Sequence, residues 1–197
     1  MFGVVGHGDL TAESWGLVEG ELPALLERLA PYGLMGVVRA AAGLPVVFAR
    51  AVHRVGGALV VVVPTAGALP ATPPGPDRVA AGQLLMWAER ARLVEFDPGD
   101  PAACAAADER IIDSCQGLVA VWDGSGANDQ LGVGRLVTYA HRRKVPVEVL
   151  WPSGARRMPQ SGASTAPAGK EAAHPAPSRM AGRGSPPDGR LEEFFNY

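Results

Sequence analysis

Gly6-His7-Gly8-Asp9-Leu10-Thr11 is the first stretch of the chain whose residue types and spacing suit chemistry. Two glycines let a backbone approach a ligand closely, and a helix that starts behind them offers unpaired amides to an anion. Asp9 or Thr11 also serves as the cap of that helix, a plainer role compatible with the first. A second such stretch is Asp123-Gly124-Ser125-Gly126-Ala127-Asn128-Asp129. Its carboxylate Asp123 directly follows an apolar run, where open α/β sheets present polar groups to a ligand. An ordinary Asp-Gly turn is the alternative. Downstream, Gly132-Val133-Gly134-Arg135 opens a helix whose amides suit a phosphate or a sugar. Arg39 and Arg135 add guanidinium groups for charge-assisted recognition of phosphate, with solvated surface arginines as the alternative.

Other reactive side chains carry less. His7 and Asp9 begin a metal pair, but no third ligand stands nearby, and His53, His141 and His174 are scattered, so no metal site is expected. Asp97 and Asp100 read as turn and cap. Cys104 and Cys115 have no basic neighbour to turn them into nucleophiles. There is no Walker motif and no GxGxxG fingerprint, and no cofactor is indicated.

The elements that must position these residues follow from the apolar pattern. Phe2–Val5, Leu34–Val38, Leu59–Val63, Leu93–Phe96, Leu118–Trp122 and Val147–Trp151 are short continuous apolar runs, the mark of strands covered on both faces. Between them lie helical stretches: a stripe of Trp15, Val18, Leu22, Leu25, Leu26 and Leu29, then Val46–Val55, Arg78–Arg90, Ala102–Ser114 and Val133–Arg143. Gly20 and Pro23 are expected to break or kink the first helix. Asp100 caps the fourth, with Pro101 in its first turn. Thr65–Pro76 is expected to be a mobile loop. The alternation implies an α/β fold, a Rossmann-like three-layer sandwich with a mostly parallel sheet of five to six strands. Gly6, Gly36 and Asp123 are then expected near one carboxyl edge.

Composition bounds the rest. The 197 residues suffice for one domain plus extra sequence, and 47% apolar content can build a sizeable core. A net charge of −2 gives no electrostatic footprint for nucleic acid or an anionic membrane. Two cysteines and no signal-peptide pattern suggest a reduced, cytoplasmic setting. The longest apolar run, Ala58–Pro64, is too short to span a bilayer. The domain is expected over residues 1–152. Residues 153–190, rich in Ala, Pro, Gly and Ser, are expected to form a disordered linker. Residues 191–197 are expected to form a docking peptide for a protein partner or for self-association, with Phe194, Phe195 and Tyr197 as anchors.

Val4–Thr11 (Val-Val-Gly-His-Gly-Asp-Leu-Thr), Gly117–Gly124 (Gly-Leu-Val-Ala-Val-Trp-Asp-Gly) and Val145–Pro152 (Val-Pro-Val-Glu-Val-Leu-Trp-Pro) together resemble a bacterial SLOG-superfamily protein. That superfamily groups the DprA-type and LOG-type Rossmannoid folds, and nucleoside deoxyribosyltransferases are distantly similar to it. The resemblance implies ligands of the nucleotide, nucleoside or ADP-ribose kind. Enzymatic relatives cleave N-glycosidic bonds with a carboxylate at the sugar, and others only bind or sense. The family loop after strand two often reads Gly-Leu-Ala-Arg-Gly-Ala-Asp. Here Gly36-Val37-Val38-Arg39-Ala40-Ala41-Ala42 stands in its place, so the second glycine is Ala40 and the acidic residue is Ala42. Gly43-Leu44-Pro45 looks like an insertion. Relatives open the last helix with Gly-Gly-Thr and an acid soon after, whereas this chain has Leu131-Gly132-Val133-Gly134-Arg135-Leu136.

Cleavage of an N-glycosidic bond needs a carboxylate to stabilise positive charge at the sugar or to attack it. Two carboxylates that the resemblance leads one to expect are replaced. The favoured reading is therefore a non-catalytic or degenerate domain that binds a nucleotide-derived ligand through Gly6, His7, Gly8, Asp9, Gly36, Arg39, Asp123, Gly124, Gly132, Gly134 and Arg135. One alternative is a nucleoside or nucleotide N-glycosidase using Asp123 and Asp9. Another is a purely structural interaction protein.

Overall fold

The computed structural model describes residues 1–125 and 132–159. The elements in chain order are β1 (Phe2–Gly6), α1 (Ala12–Leu29), β2 (Met35–Arg39), α2 (Leu44–Arg54), β3 (Ala58–Ala66) and β4 (Leu69–Pro70). They continue with α3 (Gly75–Trp87), β5 (Arg90–Glu95), α4 (Pro101–Asp113), β6 (Gly117–Val121), α5 (Val133–Arg142) and β7 (Val147–Leu150). Six strands run parallel in the order β5-β3-β2-β1-β6-β7, and β4 folds back antiparallel on β3. The chain winds outward from β1 through β2, then crosses back to place β6 on the other side of β1. That reversal opens a crevice at the carboxyl ends of β1 and β6.

Both faces of the sheet are covered, which is why the strands read as unbroken apolar runs. On one face Leu22, Leu26, Phe48 and Leu84 join α1, α2 and α3 to the sheet. On the other, Ile111, Ile112, Val137 and Ala140 do the same for α4 and α5. Neighbouring residues of one strand serve opposite layers: Val4 packs with the first cluster and Val5 with the second.

Three local expectations are corrected. α1 runs unbroken through Gly20 and Pro23. An interior proline costs about 3 kcal/mol, but full burial of an aliphatic side chain returns about 1.5–3 kcal/mol, and Val18, Leu22, Leu25 and Leu26 are all buried. Thr65–Pro76 is not simply a loop, because the chain returns to pair Thr65 with Pro70 and Ala66 with Leu69. α3 ends at Trp87 instead of Arg90, and the strand after it starts at Arg90, three residues before the apolar pair Leu93-Val94. As an edge strand with exposed Arg90, Ala91 and Arg92, β5 shows no continuous apolar run at its start.

The packed chain also continues beyond Pro152, and the compact unit spans Met1–Pro159. After a turn at Gly154, residues 155–158 return to the β1–α1 loop, where Arg157 bridges antiparallel to Leu10. The Thr11 amide donates to the Arg156 carbonyl (3.1 Å), and the Met158 amide donates to that of Asp9 (2.6 Å). These attachments are polar, so hydrophobic periodicity gives no sign of them. Gly126–Leu131 and the aromatic segment with Phe194, Phe195 and Tyr197 lie outside the described residues. No helix among the described residues is long and apolar enough to cross a membrane.

Candidate functional site

β1 and β6 lie side by side at the switch point, with Gly6 in register with Val121. Each strand delivers a polar residue just past its end. His7, 8% exposed, is fixed by its own amide donating to the Val121 carbonyl (3.0 Å). Its ring stands edge-on to Trp151, with centroids 6.0 Å apart. Nε2 of His7 lies 2.9 Å from Oδ1 of Asp123, a hydrogen bond across the reversal point. Two residues singled out in the sequence, 116 positions apart, thus meet.

Asp123 accepts further hydrogen bonds from the Ser125 amide (2.8 Å) and hydroxyl (2.6 Å). Burial pushes its carboxyl up, but the Ser125 hydrogen bonds and then His7 outweigh this and hold it well below the usual carboxylate range. Asp9 is held by Arg157, whose Nε lies 3.0 Å from both carboxylate oxygens and whose Nη2 lies 2.8 Å from Oδ2. Those bonds, against a smaller effect of burial, lower the Asp9 pKa. Arg157 Nη1 also reaches Ser125 Oγ (3.1 Å) and lies 3.8 Å from Oδ2 of Asp123.

Both carboxylates are therefore ionised at neutral pH and already engaged by donors, which suits neither a proton donor nor a free nucleophile. Their folded pKa values lie below the unfolded value of about 3.9. The stability they contribute is present above about pH 4 and is lost as pH falls through the folded values. The melting temperature of wild type should thus exceed that of Asp123→Asn at about pH 6, and the gap should shrink by about pH 3. A gap that widens on acidification contradicts this assignment.

Behind Gly6–Asp9 the start of α1 is met from within the chain, where the Thr11 amide donates to the Arg156 carbonyl. Thr11 caps α1, its Oγ1 accepting from the Ser14 amide (3.3 Å), and Ser14, 1% exposed, holds the Arg156 backbone through its hydroxyl. Gly6 is a packing residue: a Cβ there would stand 2.5 Å from Leu44 Cδ2 and 2.8 Å from the Val121 carbonyl oxygen. Gly8 and Gly124 are exposed, and among the described residues no atom beyond their chain neighbours lies within 4 Å of a Cβ built on either. Gly36 does not lie at the carboxyl edge. It is in register with Phe2 near the start of β2, and a Cβ would stand 2.7 Å from Val52 Cγ2 and 3.0 Å from Phe48 Cε1. Its lack of a side chain lets α2 approach the sheet.

Beside the switch point lies a crevice of about 180 Å³, lined by the ends of β1 and β2, the start of α2 at Leu44-Pro45, and Val133 and Leu136 of α5. Arg39, the last residue of β2, and Asp108 of α4 form part of its wall and are paired at 3.0 Å, with side chains 20% and 23% exposed. Burial pushes the Asp108 carboxyl up, with Arg39 pulling it back. The pair uses Nε of Arg39, and its terminal nitrogens make no hydrogen bond among the described residues. Arg135, the other arginine suited to phosphate, pairs with Glu109, the next residue of α4. Gly132 caps α5 without a side-chain partner, and Gly134 is buried in its first turn.

Asp108, Glu109, Ser14 and Arg157 were not singled out in the sequence. A larger cleft of about 600 Å³ lies at the ends of β3 and β5, lined by Thr65, Pro73, Arg78 and Phe96, away from the switch point. Cys115 is buried and its thiol is pushed up to about 11, so it is no nucleophile. Among the described residues no three His, Cys, Asp or Glu gather to hold a metal ion.

The strand order, with helices on both faces and a reversal between β1 and β6, defines a Rossmann-like α/β domain. Among solved structures the chain is similar to the molybdenum cofactor carrier protein of Chlamydomonas reinhardtii. Two structures of that protein match at 18% and 20% identity, with TM-scores of 0.44 and 0.45, covering 75% and 76% of this chain and 74% of theirs. A protein of Agrobacterium tumefaciens matches at 18% identity with a TM-score of 0.22, covering 75% of this chain and 61% of that one. No family model and no curated protein matches the sequence.

Proposed function

We propose that the domain binds a nucleotide-derived ligand without cleaving it, seating a sugar-phosphate unit in the crevice at the ends of β1 and β2. The observation that carries this reading is the Arg39–Asp108 pair in the crevice wall. A guanidinium donates to phosphate oxygens, and the adjacent carboxylate accepts from sugar hydroxyls. A ligand that carries both groups uses both partners. The volume of about 180 Å³ falls below the roughly 300 Å³ where pockets for whole drug-sized ligands begin. A sugar-phosphate unit therefore suits the crevice, with the base outside it.

Cleavage would need a carboxylate free to stabilise charge at the sugar or to attack it. Asp9 is engaged by Arg157, and Asp123 by Ser125 and His7. Asp108 is engaged by Arg39. Ala42 and Arg135 stand where the SLOG resemblance leads one to expect acids.

Calorimetric titration with AMP tests the reading, with ADP-ribose and molybdenum cofactor as further probes. Gly132→Asp sets bulk and negative charge at the start of α5, and Arg39→Lys removes the guanidinium fork. A hydrogen bond to a charged group contributes about 1.5–3 kcal/mol, so each variant is expected to lose about tenfold or more in affinity. Equal affinity in a folded variant removes that residue from the site.

A further inference from the structure

We propose that Ala155–Met158 is a displaceable latch, pinned by Arg157, that covers the switch-point carboxylates and the start of α1. The segment buries no large apolar side chain: Arg156 is exposed, Met158 is 52% exposed, and Ala155 and Arg157 are half-buried. Its attachments are the guanidinium of Arg157 on Asp9 and Ser125, two backbone hydrogen bonds to Asp9 and Thr11, and the Ser14 hydroxyl against Arg156. Partly exposed ion pairs contribute little and are weakened by salt, whereas the sheet beneath is held by residues such as Val119 and Val121 at 0% exposure. Segments held in this way open locally, well below the free energy of global unfolding.

What the latch covers gives the opening its consequence. Asp9, Asp123 and His7 stand where this topology presents its ligand-contacting loops. With Arg157 seated, one cation offsets two carboxylates. With the segment withdrawn, Asp9 and Asp123 lose the cation that offsets them and stand as a pair of negative charges, and the Thr11 amide loses its acceptor. The guanidinium thus fills from within the chain a seat whose chemistry suits a cationic group. The latch involves no part of the Arg39 crevice, so either reading can fail without the other.

Hydrogen exchange of the Thr11 and Met158 amides in the full chain tests the latch. In wild type both are expected to exchange much faster than amides of β1 and β6, and faster again as salt rises. Arg157→Ala should accelerate both by roughly tenfold, with both still exchanging far faster than the strand amides. Arg157→Lys, which keeps the charge but loses the fork, should fall between. If Thr11 and Met158 exchange at the strand rate in wild type, or Arg157→Ala leaves their exchange unchanged, the segment is a fixed brace and the latch is wrong.

Discussion

Gly6→Ala is expected to destabilise the domain by about 2–3 kcal/mol, because it forces a methyl group into closed packing. The added carbon would stand 2.5 Å from Leu44 Cδ2, 2.7 Å from Val121 Cβ and 2.8 Å from the Val121 carbonyl oxygen. Leu44 can change rotamer, but the Val121 backbone is held in register on both sides, by β1 and β7. Relief therefore requires β1 to move away from β6, which disturbs the His7 amide bond to Val121 at the same time. For a domain of this size each kcal/mol lowers the melting temperature by about 2–4 °C, so a fall of roughly 5–10 °C is expected. A shift within a degree would mean that the strands separate more easily than their packing implies.

Asp108→Ala is expected to cost a similar amount for an electrostatic reason. Removing one partner of a buried ion pair leaves the other charge desolvated and unpaired, which costs about 3–5 kcal/mol when burial is complete. Arg39 and Asp108 retain 20% and 23% of their side-chain exposure, so about 2–3 kcal/mol is the appropriate expectation. Asp108→Asn keeps an acceptor for Nε of Arg39 and should lose less. The double substitution Arg39→Met with Asp108→Leu removes both charges and should recover much of the loss, since apolar replacement of a buried pair is often neutral. Chemical denaturation of wild type and these three variants compares the losses. Equal destabilisation by the single and double variants would show that volume matters here, not charge.

The strands were legible because both faces of the sheet are covered, which leaves runs such as Leu118–Trp122 unbroken by polar residues. The same rule placed Asp123 at a carboxyl edge beside Gly6. It failed for Gly36, because a glycine near the start of a strand and one at its end look alike in sequence, and only the packing of Phe48 and Val52 tells them apart. Pro23 misled in the opposite direction, since a local propensity is outweighed by four buried aliphatic residues on the same helix. The pairings that define the site were not legible. Arg157 meets Asp9 across 148 positions, and Arg39 meets Asp108 across 69. Arg157 sits in a segment whose composition reads as a linker, and Asp108 interrupts an alanine-rich helix as a solvent-facing residue would. Neither carries a local signal of its partner.

The proposed ligand is a nucleotide derivative whose glycosidic bond the domain leaves intact. Equilibrium dialysis of wild-type protein against AMP, with chromatography of both chambers at the end, tests both halves at once. Excess AMP on the protein side, recovered whole, with no adenine above the protein-free control, is the expected result. Adenine released at about 1 s⁻¹ or faster, or AMP at equal concentration in both chambers, would contradict it.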